Sequence, residues 1–328
     1  MKFGIKKLGR STGIKFKNLG NILLPMILPQ EFHIPVLLNQ VINYLNVSPG
    51  KKYIDATIGA GGYAFEILKL GGVVLGIDLD QDAIDYIREY RNGKNICLQQ
   101  GNFRDIKKIA EKYGFAKVDG IIFDLGLSTY QLEKSGRGFA HSRNEILDMR
   151  FEKSGNLKAI DILNKYSEDK LYEIFTKYSE ELNSRTIAHA IVRARALMGK
   201  IESSKQLADI IEKILRRNET GLNSRNFFNL KNKTLSRIYQ SLRIAVNNEL
   251  DNLSVGLSSA VELLNPGARL AIISYHSLED RIIKFALQDY KYNGVLKMIT
   301  SKPIVADYKE KELNSKSRSA KLRVAEKL

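Results

Sequence analysis

A chain of 328 residues, 44% hydrophobic and 27% charged, has the composition of an ordinary globular protein with room for one large domain or two small ones. No run approaches the roughly 20 apolar residues of a membrane helix. The single cysteine, Cys97, excludes a disulfide framework and a thiolate-rich zinc site, and it fits a cytoplasmic protein. The formal charge of +16 is clustered, because residues 1–30, 216–243 and 291–328 each net +6 and leave the remainder at −2. Clustered basicity is what a polyanion-binding surface requires.

Residues 1–30 hold six Lys/Arg and no acid, with a short apolar run broken by Pro25 and no small-residue cleavage site, which argues against a secretory signal. Two readings stay open: a basic arm that orders on RNA, or a tail outside the fold with initiation at Met26. Both start the folded body near residue 31. Strands are then predicted at 53–59, 73–80, 95–100 and 118–128, with helices between them at about 34–46, 63–70, 81–91 and 104–113. Near-continuous apolar strands alternating with helices predict a parallel sheet covered on both faces.

From 131 to 232 no convincing strand occurs and helical patterns recur, one of them opened by a Ser203–Gln206 capping box. This predicts an all-helical insert, with 31–130 and 233–328 forming the α/β domain. A long amphipathic stretch, 235–264, ends at Pro266-Gly267. The strand RLAIISYHS (269–277) follows, then a helix capped by Ser277 and Asp280, and strand-like runs VLKMIT and KLRVAEKL close the chain. The expected fold is a doubly wound α/β sheet interrupted by helices.

YIDATIGAGGYAFEIL followed by VVLGIDLD is the sharpest local signal. A strand ends at Asp55, the turn carries Gly59, Gly61 and Gly62, and the next strand ends at Asp78, where a carboxylate can hold ribose hydroxyls. Glycines there let the backbone approach a ligand closely. The spacing also fits a nicotinamide dinucleotide fingerprint. Asp55, four residues before the first glycine, instead resembles the D-x-x-x-G-x-G-G signature of class I (Rossmann-like) methyltransferases, which hold S-adenosylmethionine. Phe103, after the third strand, is a candidate to stack on adenine, and Asp124 ends the fourth strand at the edge where open sheets bind ligands. Ser128, Asp124 and His276, all near strand ends, are the candidate catalytic groups. Arg216, Arg217, Arg225, Lys231, Lys233 and Arg237 are the candidate RNA contacts.

DATIGAGGY, DGIIFDLGLSTYQL, RGFA…LDMRF, YSEE…IAHAIVRAR, TLSRIYQSLRIAVNNEL, ISYHSLEDR and SRSAKLRVAEK occur in this order. Together they resemble the ribosomal RNA small subunit methyltransferase H (MraW) family over about residues 32–328. The resemblance implies methyl transfer from S-adenosylmethionine to the 4-amino group of a cytidine in 16S rRNA, in the decoding region of the small subunit. It implies cofactor contacts at Gly61, Gly62, Tyr63, Asp78, Phe103, Asp124 and Gln131; no metal site is expected. The chain departs from the family where Tyr63 replaces a usual His, where STYQLE replaces S-S-P-Q-L-D, in HSRNEILDMR and in LSRIYQSLR. A different class of function, a non-catalytic RNA-binding assembly factor on the same fold, is disfavoured by the intact glycine turn, Asp78 and Asp124. Carbon-5 methylation of cytosine would need a cysteine nucleophile, and Cys97 sits inside a predicted strand; an amine target needs none.

Overall fold

The computed structural model describes residues 35–90, 96–218 and 221–328; the basic segment 1–30 and both readings of it lie outside them. In chain order the elements are α1 (Leu38–Leu45), β1 (Lys52–Asp55), α2 (Gly62–Lys69), β2 (Val73–Asp78), α3 (Gln81–Tyr90), β3 (Ile96–Gln100), α4 (Ile106–Lys112) and β4 (Val118–Asp124). Helices α5 (Thr129–Glu133), α6 (Ala159–Lys165), α7 (Glu168–Ser179), α8 (Ser184–Met198), α9 (Ser204–Asn218), α10 (Ser224–Asn247) and α11 (Glu249–Leu263) come next. The chain closes with β5 (Leu264–Ser274), α12 (Ser277–Tyr292), β6 (Leu296–Met298), α13 (Tyr308–Leu313) and β7 (Lys321–Lys327).

The seven strands form one sheet in the order β3-β2-β1-β4-β5-β7-β6. β1 to β5 run parallel, and β7 is antiparallel to both of its neighbours. Side chains alternate between faces along each strand, so each central strand feeds two cores. Ile54, Leu75, Phe123 and Ile272 pack under α4, α11 and α12, while Tyr53, Val74, Ile122 and Ile273 pack under α1, α2 and α3. Strand order reverses direction between β1 and β4, which opens a crevice at their carboxyl ends. A third core, among them Phe175, Ile191, Leu215 and Leu242, fills the layer of helices α6 to α10. No helix among the described residues is long and apolar enough to cross a membrane.

Several boundaries differ from the sequence expectation for physical reasons. The expected limits of the helical insert, 130/131 and 232/233, both fall inside helices, α5 and α10. The stretch 235–264 is two helices, broken at Asn248, which takes φ 51° and serves α10 as C-cap and α11 as N-cap. The second helix stops at Leu263 rather than at Pro266-Gly267; β5 has already begun, and its register against β4 shifts to accommodate that pair. The cap of α12 is His276 with Glu279, not Ser277 with Asp280, because Asp280 is taken by Arg323 and Lys321. The Ser203–Gln206 capping box forms as expected.

Candidate active site

The crevice at the switch point is a cleft of about 1040 Å³ that opens to solvent. Its first wall is the turn after β1. Gly61 takes φ +80°, and a Cβ there would lie 2.2 Å from the Phe65 ring; at Gly62 it would lie 2.0 Å from Pro35. Gly62 lines the cleft, whereas Gly61 shapes the turn as the N-cap of α2 and is not among the lining residues. Asp78 faces the cleft from the end of β2. Its carboxylate accepts the N–H of Gly59 (2.8 Å) and of Asp80 (2.8 Å). Burial pushes it up to about 6, and those two N–H groups hold it from rising further.

Behind the turn lies Asp55, fully buried, with one oxygen on the Thr57 N–H and the other without a hydrogen-bond partner. Burial, reinforced by the charges of Asp124 and Asp78, pushes it up to about 8. Its folded value lies above the unfolded one, so folding takes up a proton between about pH 4 and 8 and stability falls as pH rises through that window. Asp55→Asn removes the titration while keeping the acceptor for Thr57. Its melting temperature is expected to exceed that of the wild type by a margin that widens from pH 5 to pH 9; a margin independent of pH would refute the assignment.

Phe103 presents to the cleft one side of a ring held from behind, edge-on to Phe123 at 5.6 Å and with the backbone of Gly256 against it. It is both a core aromatic and a cleft wall. Ser128 and Gln131 form the capping box of α5 and both line the cleft; the Gln131 amide also donates to Asp80 (3.0 Å). The Ser128 hydroxyl is thus occupied as a cap. Asp80 is buried with the guanidinium of Arg137, which also donates to the carbonyls of Arg150 and Phe151 (3.0 Å each). The Asn247 amide completes this wall by accepting from Phe151 N and donating to Met149 O, 2.8 Å each. Asp80, Arg137, Phe151 and Asn247 were not foreseen as site residues, although the motifs RGFA, LDMRF and TLSRIYQSLRIAVNNEL contain three of them.

Asp124 lines this cleft, and the next two residues, Leu125 and Gly126, line both it and a second cavity, also open to solvent, of about 1090 Å³. One Asp124 oxygen accepts from the Tyr275 hydroxyl (2.7 Å); the other lies 3.2 Å from the Tyr63 hydroxyl, which donates to Val36 O at 2.6 Å. Burial raises the Asp124 carboxyl above its ordinary range, opposed by those tyrosine hydrogen bonds. The Tyr275 ring packs against Gly126, where a Cβ would be 2.5 Å away. The second cavity is lined by Tyr275, His276, Gln240, Arg243 and Lys316, over an apolar floor that includes Leu127 and Phe139. Lys316 donates to Leu127 O (2.9 Å) and Thr129 Oγ1 (3.0 Å), and burial pushes its amine down to about 8.

His276, a catalytic candidate from sequence, accepts the Glu279 N–H through Nδ1 (3.4 Å) as the cap of α12. Its Nε2 lies 3.0 Å from Glu279 Oε1, but not at hydrogen-bonding angles, so the pair reads as an electrostatic contact. Glu249, His276 and Glu279 bring possible metal-ligand atoms within 4.8 Å of one another. The Arg243 guanidinium already occupies both Glu249 oxygens (2.8 and 2.9 Å), and Glu279 accepts from Tyr275 N (2.9 Å). The group is an ion pair joined to a helix cap.

The candidate RNA contacts run from the end of α9 to the middle of α10, and none of them lines the cofactor cleft. Arg216 and Lys231 share Glu212, and Arg237 pairs with Glu181 (3.3 Å). Arg217, Arg225 and Lys233 are exposed and have no ion pair among the described residues.

The charge of the cleft separates the two cofactors left open above. Asp78, Asp124, Glu249 and Glu279 line it, and its described lining residues include no Lys or Arg. A dinucleotide pyrophosphate would meet carboxylates and no lysine or arginine in that lining, whereas the sulfonium and ammonium of S-adenosylmethionine would face Asp78 and Asp124. Asp78 offers acceptors to a ribose diol, and Phe103 and Leu253 offer flat apolar walls to adenine.

The chain matches the MraW methylase family over residues 30–328. It is 40% identical to ribosomal RNA small subunit methyltransferase H of Deinococcus deserti, covering 92% of this chain and 98% of that protein. It is 38% identical to the protein of the same name from Clostridium botulinum strain Loch Maree, covering 90% and 99%. Among solved structures, an rRNA methylase from Streptococcus thermophilus superposes with a TM-score of 0.37 at 13% identity over 90% of this chain and 98% of that one, a distance that adds nothing to the reading. Family match and near-full-length relatives agree, and the chain belongs to the MraW methylase family.

Proposed function

We propose that this methyltransferase moves a methyl group from S-adenosylmethionine to the 4-amino group of a cytidine in the decoding region of 16S rRNA. The observation that carries the reading is the meeting of two cavities at Leu125 and Gly126, directly after Asp124, one acidic and suited to the cofactor, the other suited to an unstacked base. Its relatives' name, ribosomal RNA small subunit methyltransferase H, supports small-subunit RNA as the substrate class.

When bound, the cofactor supplies an electrophilic methyl on a sulfonium. The chain's own groups do the rest. Asp78 holds the ribose end, Phe103 and Leu253 wall the adenine, and Phe151 closes the cleft from the helical layer. At the junction, Asp124 and the Tyr275 hydroxyl accept hydrogens of the incoming amine and turn its lone pair toward the cleft. Alignment of this kind is a large part of what an enzyme contributes to a two-substrate reaction. Cys97 lies in β3, paired with Leu75, and lines neither cavity.

The test uses radiolabelled S-adenosylmethionine and undermethylated small subunits, followed by nuclease digestion and mass spectrometry of the labelled nucleoside. The expected product carries the methyl on the exocyclic nitrogen of cytidine, and Cys97→Ser forms it at the wild-type rate. Recovery of 5-methylcytidine, a methylated purine or a ribose methyl would refute the reading.

The basic corner of α9 and α10 supports phosphate contact. Changing Arg217, Arg225 and Lys233 to Gln is expected to weaken RNA binding and to flatten its dependence on log salt by about 0.7–0.9 for each phosphate no longer neutralised. Cofactor affinity is expected to stay constant. An unchanged salt slope would reduce these charges to solvated surface.

A further inference from the structure

Helix α10 links the basic corner to the chemistry. Asn226, Asn229, Lys233, Ser236, Gln240, Arg243 and Asn247 recur along it at spacings of three and four, so they share one face. The opposite face is buried through Leu235, Ile238 and Leu242. No Asp or Glu occurs from Gly221 to Asn248. At one end of the stripe, Ser236, Gln240 and Arg243 line the second cavity and Asn247 lines the cofactor cleft. At the other, the exposed Arg225 continues the stripe, and off it, about 100° around the helix toward the side that buries Leu235, Phe228 is 57% exposed with the Lys231 amine 5.7 Å from its ring centre. Its neighbour Phe227, by contrast, is covered by the Arg216 guanidinium at 4.5 Å.

We propose that the polar face of α10 is the track along which a single-stranded segment of the substrate RNA reaches the active site, with one base at its outer end turned off that face to stack on Phe228. The proposal rests on the RNA reading above and adds the form of the RNA and its path. An exposed ring beside cations is a stacking platform for an unpaired base, and it cannot reach base faces inside a duplex. Arg225 and Lys233 meet phosphates, and the amides of Asn226 and Asn229 suit sugar and base edges. A second copy of the chain fits this face poorly, because two acid-free helices would oppose charge of the same sign. From Phe228 to Gln240 the helix rises about 18 Å. That distance spans about five nucleotides stacked at 3.4 Å, and fewer if the strand is extended.

The probe is a synthetic strand of 16S rRNA centred on the cytidine that the wild-type chain methylates. Phe228→Ala is expected to weaken binding of this strand about tenfold or more, and Phe228→Trp to restore it. Cofactor affinity, measured separately, is expected not to move in either variant. Abasic nucleotides are then placed singly at each of about five positions on either side of the target. One of them should lower wild-type affinity by the same factor and have no further effect on Phe228→Ala. Wild-type binding by Phe228→Ala, additive losses at every position, or a change in oligomeric state in place of RNA affinity overturns the track. A wild-type chain that methylates no RNA sinks both readings, whereas methylation indifferent to Phe228 and to every abasic site sinks only this one.

Discussion

Asp78→Ala leaves a chain that folds but shows no measurable affinity for S-adenosylmethionine. The side chain holds two positions at once. Towards the protein, it fixes the turn through Gly59 N and Asp80 N; towards the cleft, it offers its remaining lone pairs to a ribose diol. Two charge-assisted hydrogen bonds at about 1.5–3 kcal/mol each correspond to a loss of at least about 100-fold in Kd. Asp78 titrates at about 6, so wild-type affinity is expected to fall as pH drops through that value and the carboxylate is lost. Calorimetric titration at pH 7.5 and 5.5 checks both statements. Wild-type affinity in a folded Asp78→Ala chain would remove this residue from the cofactor site.

Asp124→Asn is expected to bind cofactor and RNA yet lower the single-turnover rate by about 10²–10⁴, the range of an acid–base group. It lines the cofactor cleft and is hydrogen-bonded to Tyr275, which lines the second cavity, and an amide in its place would turn a donor toward a tyrosine or the incoming amine. Tyr275→Phe removes the 2.7 Å hydrogen bond that sets the orientation of this carboxyl and should cost less. His276→Ala makes the useful contrast. As a helix cap, it should lose about 1 kcal/mol of stability with little change in rate. If His276→Ala slows the chemistry as much as Asp124→Asn while the helix stays intact, the roles given to these two residues are reversed.

Much of this site was legible in the sequence, and the misreadings have a common cause. Asp55, Asp78 and Asp124 each end a strand, and the apolar runs before them announced it. Composition, however, could not show where a strand stops. The runs predicted to extend to Gly59, Ser128 and Ser277 leave the sheet at Asp55, Asp124 and Ser274. Most of the overrun residues line the cavities, and the apolar ones among them, Ala56, Ile58, Leu125 and Leu127, read as strand. Asn248 escaped notice for a different reason: an asparagine inside an amphipathic run keeps the helical period on both sides while its own backbone turns left-handed. Arg137 and Asp80 lie far apart in sequence, and nothing local in either marks them as a buried pair. The same holds for Asn247, whose amide is read only when Met149 and Phe151 are brought to it.

Because α10 begins in the helical layer and ends at Asn247 in the wall of the cofactor cleft, the two layers do not melt independently. Leu235, Ile238 and Leu242 belong to the helical core; at the end of the same helix the Asn247 side chain accepts from Phe151 N, and the chain leads through Asn248 into α11, whose Leu253 and Leu257 lie in the core under the sheet. Asn248 joins the two helices, its N–H bonding Ile244 O and its carbonyl accepting from Asn252 N. Fraying that starts among the helices thus reaches α11 and the core under the sheet, and a ligand that tightens the cleft resists it from the other end. Cofactor occupancy is therefore transmitted as protection of the helical layer, including amides that no ligand touches.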